Sequence, residues 1–152
     1  MTEQKCTLLN WNVRGLNNSA RRKVVKDLVS DLGCTIAALQ ETKLAVIHAE
    51  DAMETLGTKF MKSFVYLPAQ GTRGGALVAV DEDHYLIRQF EHRTHSVSAL
   101  LESTHCADSW WVTVVYGPLG DQEKLNFLQE LRFISTVVSD KWLVIGDFNM
   151  IL

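Results

Sequence analysis

Five polar side chains sit where a chain could do chemistry on a phosphate: Asn12, Glu41, Tyr116, Asp147 and Asn149. Each ends or directly follows an apolar stretch that reads as a strand. A side chain there reaches solvent while the sheet behind it holds its backbone rigid. Glu41 and Asp147 are hard oxygen ligands suited to Mg²⁺ or Mn²⁺ rather than Zn²⁺. Asn12 and Asn149 can orient a phosphate oxygen or a water without adding charge, and Tyr116 can donate a hydrogen bond to a phosphate. Together they propose metal-assisted attack of water on a phosphodiester or phosphomonoester. Plainer readings stay open. Glu41 can be an ordinary carboxylate before the next helix, Asp147 and Asn149 a turn after a strand, and Tyr116 a core residue with its hydroxyl at the rim.

The elements that must position these groups are read from periodicity and breakers. Leu8 to Val13 reads as a strand. Asn18 or Ser19 caps a helix carrying Val24, Val25, Leu28, Val29 and Leu32 at helical spacing, and Gly33 ends it. Cys34 to Leu39 is an apolar run of strand length, with Glu41 just beyond. A second helix spans Ala45 to Leu56 and stops at Gly57. Phe64 to Tyr66, Ala76 to Val80, Tyr85 to Phe90, Val97 to Leu101 and Trp110 to Tyr116 are strand-like, with turn residues between them. Asp121 to Val138 presents Leu125, Leu128, Leu131, Ile134 and Val138 as one helical face, and Trp142 to Ile145 is the closing strand. This β-α-β-α, multi-strand, α-β order predicts an α/β layered domain with a mixed sheet and outer helices.

The totals set limits. The 152 residues are 47% hydrophobic, enough for one domain with a core. No apolar run is long enough for a membrane span, and Met1 to Lys5 lack a signal-peptide core. The cysteines, Cys6, Cys34 and Cys106, are far apart and form no CxxC pair. They read as reduced, buried thiols in an intracellular (nuclear or cytoplasmic) protein that is not secreted. A net charge of −3 gives no global attraction to nucleic acid. Arg21-Arg22-Lys23 is the dense basic cluster and reads as a solvated helix start. His92 and His95, with His105-Cys106, could suggest a metal cluster, but exposed hairpin edges are the simpler reading. His48 and His84 complete the histidines.

Five segments occur in a telling order: Leu9-Asn10-Trp11-Asn12-Val13-Arg14-Gly15-Leu16, Leu39-Gln40-Glu41-Thr42-Lys43, Arg73-Gly74-Gly75-Ala76, Val115-Tyr116-Gly117-Pro118 and Gly146-Asp147-Phe148-Asn149. In these segments the chain resembles the endonuclease/exonuclease/phosphatase superfamily. Their wording is most similar to the endonuclease domain of plant non-long-terminal-repeat retrotransposons. The resemblance implies a four-layer α/β sandwich and a Mg²⁺-dependent hydrolase of phosphodiester bonds, with DNA as partner. It implies Glu41 as metal ligand, Asn12 setting metal and phosphate, and Tyr116 contacting the phosphate. Asp147 would align or deprotonate the attacking water, and Asn149 would stabilise the pentacovalent phosphorus.

Two residues depart from the pattern: Arg14 stands where an aspartate is frequent, and Leu119 where an asparagine is. Arg14 cannot bind a metal but could pair with a phosphate or with Glu41. The resemblance also places a later aspartate and a Ser-Asp-His segment in the domain's second half. The expectation is therefore residues 1–152 as the N-terminal portion of one domain. That portion would hold mainly the first sheet and its helices, bind metal weakly, show no measurable nuclease activity alone and self-associate through an exposed inner sheet face. A phosphatase of the same scaffold acting on a small or lipid phosphate, and a non-catalytic binding module, are the alternatives.

Overall fold

A computed structural model describes residues 6–138 and 141–150; the reading of Met1 to Lys5, and of Ile151 and Leu152, lies outside it. The elements are β1 (Leu8–Asn12), α1 (Ser19–Leu32), β2 (Ile36–Gln40), α2 (Ala49–Leu56), a 3₁₀ turn (Thr58–Phe60), β3 (Phe64–Leu67), β4 (Ala76–Val80), β5 (Tyr85–His92), β6 (Ser96–Ser103), β7 (Ser109–Tyr116), α3 (Asp121–Val137) and β8 (Trp142–Asp147). Two four-stranded sheets result, in the orders β1-β2-β4-β3 and β5-β6-β7-β8. In each, one edge strand pairs parallel, β1 with β2 and β8 with β7, while the other pairings are antiparallel.

The layered fold follows from alternation along the strands. Successive side chains point to opposite faces, and β2 and β4 are buried at every position, so both their faces must be covered. Ile36, Ala38, Ala76, Val78 and Val80 of the first sheet meet Val97, Ala99, Leu101, Val112 and Val114 of the second in one core. The alternate residues Ala37, Leu39, Leu77 and Ala79 face outward under Val25, Val29, Leu56 and Phe60. On the far side α3 buries Phe127 and Ile134. The Phe127 ring lies edge-on to His95 at 5.8 Å and against Phe148 at 6.2 Å. Helices, sheet, sheet and helix make the four layers that the resemblance implies.

The narrower expectation of mainly one sheet is corrected. Both sheets are present, and each covers the inner face of the other, so an exposed inner face no longer supports self-association. The second helix begins at Ala49 rather than Ala45. The Asp51 carboxylate accepts the backbone N–H of His48 at 2.7 Å and fixes the start there. On α1 only Val25 and Val29 are fully buried, while Val24 and Leu32 are 56% and 52% exposed. On α3, Leu125 and Leu128 are exposed and Phe127 takes the core position. Cys34 is buried, but Cys6 and Cys106 are exposed, and all three are free thiols. Among the described residues no helix is long and apolar enough to cross a membrane.

Leu101 is fully buried between the two sheets. Leu101→Ala should therefore cost about 2–5 kcal/mol, read as a lower urea midpoint at unchanged slope.

Candidate active site

β1, β2, β7 and β8 all deliver their C-terminal residues to one end of the sandwich, and the five polar side chains meet there. Asn12 closes β1 and Asp147 closes β8, so they belong to different sheets. The Asn12 Nδ2 amide donates to Asp147 Oδ2 at 3.0 Å and bridges the two. The other oxygen, Oδ1, accepts the backbone N–H of Asn149 at 3.0 Å. Asn149 Nδ2 donates to the carbonyl of Gly117 at 2.6 Å, and Gly117 N–H donates to the carbonyl of Asp147 at 2.7 Å. Asp147 is thus held at both oxygens, and its strand is in parallel register with Tyr116.

Glu41 follows β2. Its N–H donates to the Gly75 carbonyl and its carbonyl accepts from Gly15 N–H at 2.7 Å. A Cβ on Gly74 would fall 2.9 Å from both Glu41 Cγ and Tyr116 Cε1, so glycine lets these two side chains close up. Burial pushes the Tyr116 phenol above its ordinary value. The charge of Glu41, then that of Asp147, and a hydrogen bond to Glu41 push it the same way. Tyr116 therefore stays protonated between two carboxylates and remains a donor. The turn after β8 needs comparable room. A Cβ on Gly117 would lie 2.2 Å from the Phe148 carbonyl oxygen, and one on Gly146 2.1 Å from that of Val115.

Among the described residues four that are not glycine have left-handed backbone: Arg14 (φ 53°), Glu41 (57°), Lys43 (58°) and Asn149 (50°). All four surround this one site. Such conformations cost energy and persist where the surroundings over-determine them, which is characteristic of functional sites.

Among the described residues no three His, Cys, Asp or Glu side chains gather as a metal-binding group. The donor set fits Mg²⁺ nonetheless, since that ion is commonly held by one or two carboxylates and keeps several waters. Glu41 offers a carboxylate, and the Asn12 amide oxygen keeps capacity beyond the Arg14 N–H it accepts at 3.1 Å. Lys43 Nζ, 3.5 Å from Glu41 Oε1, supplies the local positive charge.

Several sequence readings change. Lys43, not Arg14, pairs with Glu41. Its position only two residues past the glutamate was the available signal. The Arg21-Arg22-Lys23 cluster does open α1, with Arg21 and Lys23 exposed to solvent, but its two arginines are also engaged. Arg21 Nη1 donates to the carbonyls of Val13 and Arg14, and Arg22 binds the Leu16 carbonyl, Asp51 and Glu54. The two arginines tie α1 and α2 to the β1 loop. His95 is not an exposed hairpin edge: it is 6% exposed, sits against Phe127 and lines a hollow with Tyr116. Leu119 is 77% exposed at the rim.

The endonuclease/exonuclease/phosphatase family profile matches residues 9–152. The chain belongs to this family. Solved structures with the family's fold include a mannosyl-6-phosphatase from Bacteroides thetaiotaomicron (TM-score 0.67, 13% identity, 95% of this chain and 66% of that one). A D. rerio TDP2 complexed with single-strand DNA product matches at TM-score 0.70, with 13% identity over 99% of this chain and 63% of that one. The human Nocturnin catalytic domain with bound sulfate matches at TM-score 0.67, with 15% identity over 96% and 64%. At these identities the likeness is one of fold, and the chain spans less than two thirds of these family members. No curated protein matches the sequence.

Removing the Glu41 charge should bring the Tyr116 pKa down toward the usual phenol value. An NMR titration of labelled tyrosine should show a larger drop for Glu41→Gln than for Asp147→Asn, and Tyr116→Phe assigns the signal.

Proposed function

We propose that this chain carries the metal-binding and water-aligning part of a Mg²⁺-dependent phosphodiester hydrolase of endonuclease type. The supporting observation is the convergence of Asn12, Glu41, Tyr116, Asp147 and Asn149 at one strand-end site ringed by four strained backbones. Similarity of the motif wording to plant non-long-terminal-repeat retrotransposon endonucleases supports a retrotransposon origin.

In this reading Glu41 and Asn12 hold Mg²⁺, which offsets charge on the phosphoryl oxygens when bound. Tyr116, kept protonated, donates to a phosphate oxygen. Asp147 has both oxygens oriented by neighbouring amides, so it can accept a proton from a water placed in line with the phosphorus. The Asn149 side chain would add a neutral donor to the phosphate once it leaves the Gly117 carbonyl. The sequence contains no Ser-Asp-His segment. A catalytic set lacking one member loses orders of magnitude in rate, so we expect slow turnover from these 152 residues alone.

The Lys43 ammonium occupies the electrostatic position of a cation beside Glu41, and Mg²⁺ must displace it. Calorimetric titration should show weak Mg²⁺ binding that is lost in Glu41→Gln and strengthened in Lys43→Met. Binding unchanged by Glu41→Gln would remove the metal from this site. Nicking of supercoiled plasmid should stay near background, and brisk Mg²⁺-dependent nicking abolished by Glu41→Ala would overturn the expectation of slow turnover.

A further inference from the structure

A hollow of about 500 Å³ opens beside the site, between the end of β1 and the first turns of α1. Its volume is in the range of small-ligand sites. Trp11, Asn12, Arg14, Arg21, Val24 and Asp147 line it. Asn12 and Asp147 belong to the proposed hydrolytic site; the remaining wall has no role there.

Arg14 stands out in that wall. Its backbone is held at both ends, with the N–H donated to Asn12 Oδ1 and the carbonyl accepting from Arg21 Nη1. The next N–H, from Gly15, is held by Glu41. This pinning keeps Arg14 in a left-handed conformation that glycine or asparagine would adopt more easily. Yet its guanidinium, exposed to solvent, has no hydrogen-bond or ion-pair partner among the described residues. Neighbouring cations are already engaged: Arg21 and Arg22 by carbonyls and carboxylates, Lys43 by Glu41. A free guanidinium on a rigid backbone is suited to bidentate capture of a phosphate.

The hollow also has an apolar side. Val24 is 56% exposed on α1 although its neighbour Val25 is fully buried, and Trp11 is partly exposed. Asp147 contributes negative charge at one end, but both its oxygens already accept hydrogen bonds. An anion is therefore favoured at the Arg14 end and a flat apolar group near Val24 and Trp11. A phosphate monoester on a small molecule would need only the central site. Arg14, on the wall of a hollow that opens from that site, is placed to read a further phosphate.

We infer that this hollow is a subsite for the nucleotide adjoining the scissile phosphate of a single-stranded polynucleotide. Arg14 takes the neighbouring phosphate, and Val24 with Trp11 supports the base. Arg14 is then a specificity-determining residue, outside the bond-breaking set. This inference rests on the phosphodiesterase reading of the adjacent site.

The test is fluorescence anisotropy of a labelled short single-stranded oligodeoxynucleotide with the full chain in EDTA, across a salt series. Loss of one phosphate contact should weaken binding severalfold in Arg14→Ala and lower the log–log salt slope by about 0.7. Arg14→Lys should restore most of the slope. Val24→Asp should weaken oligonucleotide binding and leave the weaker binding of inorganic phosphate unchanged. An oligonucleotide held no more tightly than inorganic phosphate, or an Arg14→Ala protein with wild-type affinity and slope, overturns the subsite. Those results leave Mg²⁺ binding at Glu41 untouched. Absent Mg²⁺ binding with an intact Arg14 effect instead overturns the hydrolytic reading of the neighbouring site, and with it the scissile bond to which the subsite is assigned.

Discussion

Mutual exclusion of water from the two inner sheet faces is the constraint on which the rest depends. Neither four-stranded sheet is thick enough to bury its own apolar face, and β2 and β4 require cover on both sides. Packing face to face brings β1 and β8, edge strands of different sheets, to the same end of the molecule. The Asn12–Asp147 hydrogen bond spans 135 positions in the chain and is a direct result of that packing. It converts a hydrophobic preference into a fixed spacing between polar groups.

The site then departs from easy backbone geometry wherever a side chain must be aimed. Arg14, Glu41, Lys43 and Asn149 each adopt a conformation costing about 1–2 kcal/mol. Glu41, Lys43 and Asn149 are retained by hydrogen bonds to Gly75, Gly74 and Gly117, distant in the chain, and Arg14 by its near neighbours Asn12 and Arg21. The glycines serve the opposite purpose. At Gly74, Gly117 and Gly146 the lack of a side chain lets backbones and functional groups approach within distances no Cβ allows. Electrostatically the cluster is acidic, and Lys43 tempers it. The site therefore has both a carboxylate suited to a divalent ion and a built-in rival for it.

Much of this was legible in the sequence because local signals agreed with the tertiary outcome. Asn18 caps α1 and Gly33 closes it in the left-handed conformation, as their types imply. The strand boundaries at Ala76–Val80 and Ser109–Tyr116 follow the runs of β-branched and aromatic residues. Polar residues placed just beyond such runs, such as Glu41 and Asp147, do meet, because strand ends are where the layered fold exposes side chains. What stayed hidden depends on partners far away in the chain. Arg21 and Arg22 look like surface charge until the carbonyls of the β1 loop and the acids of α2 come within reach. The Leu125–Leu128 face of α3 is apolar by spacing, yet Phe127 wins the core because its ring fits against His95 and Phe148. The count of sheets was also beyond local reading, since antiparallel strand runs do not say which runs pair.

Among the described residues β1 and β8 each have a sheet neighbour on one side only, and Leu143 on β8 is 38% exposed. Their outer rims therefore carry rows of backbone donors and acceptors that a foreign extended segment can complete. Such rims are templates for an added strand. A lysine gatekeeper in place of Leu143 is the conservative remedy for handling the protein, since it blocks the template and leaves the buried register intact.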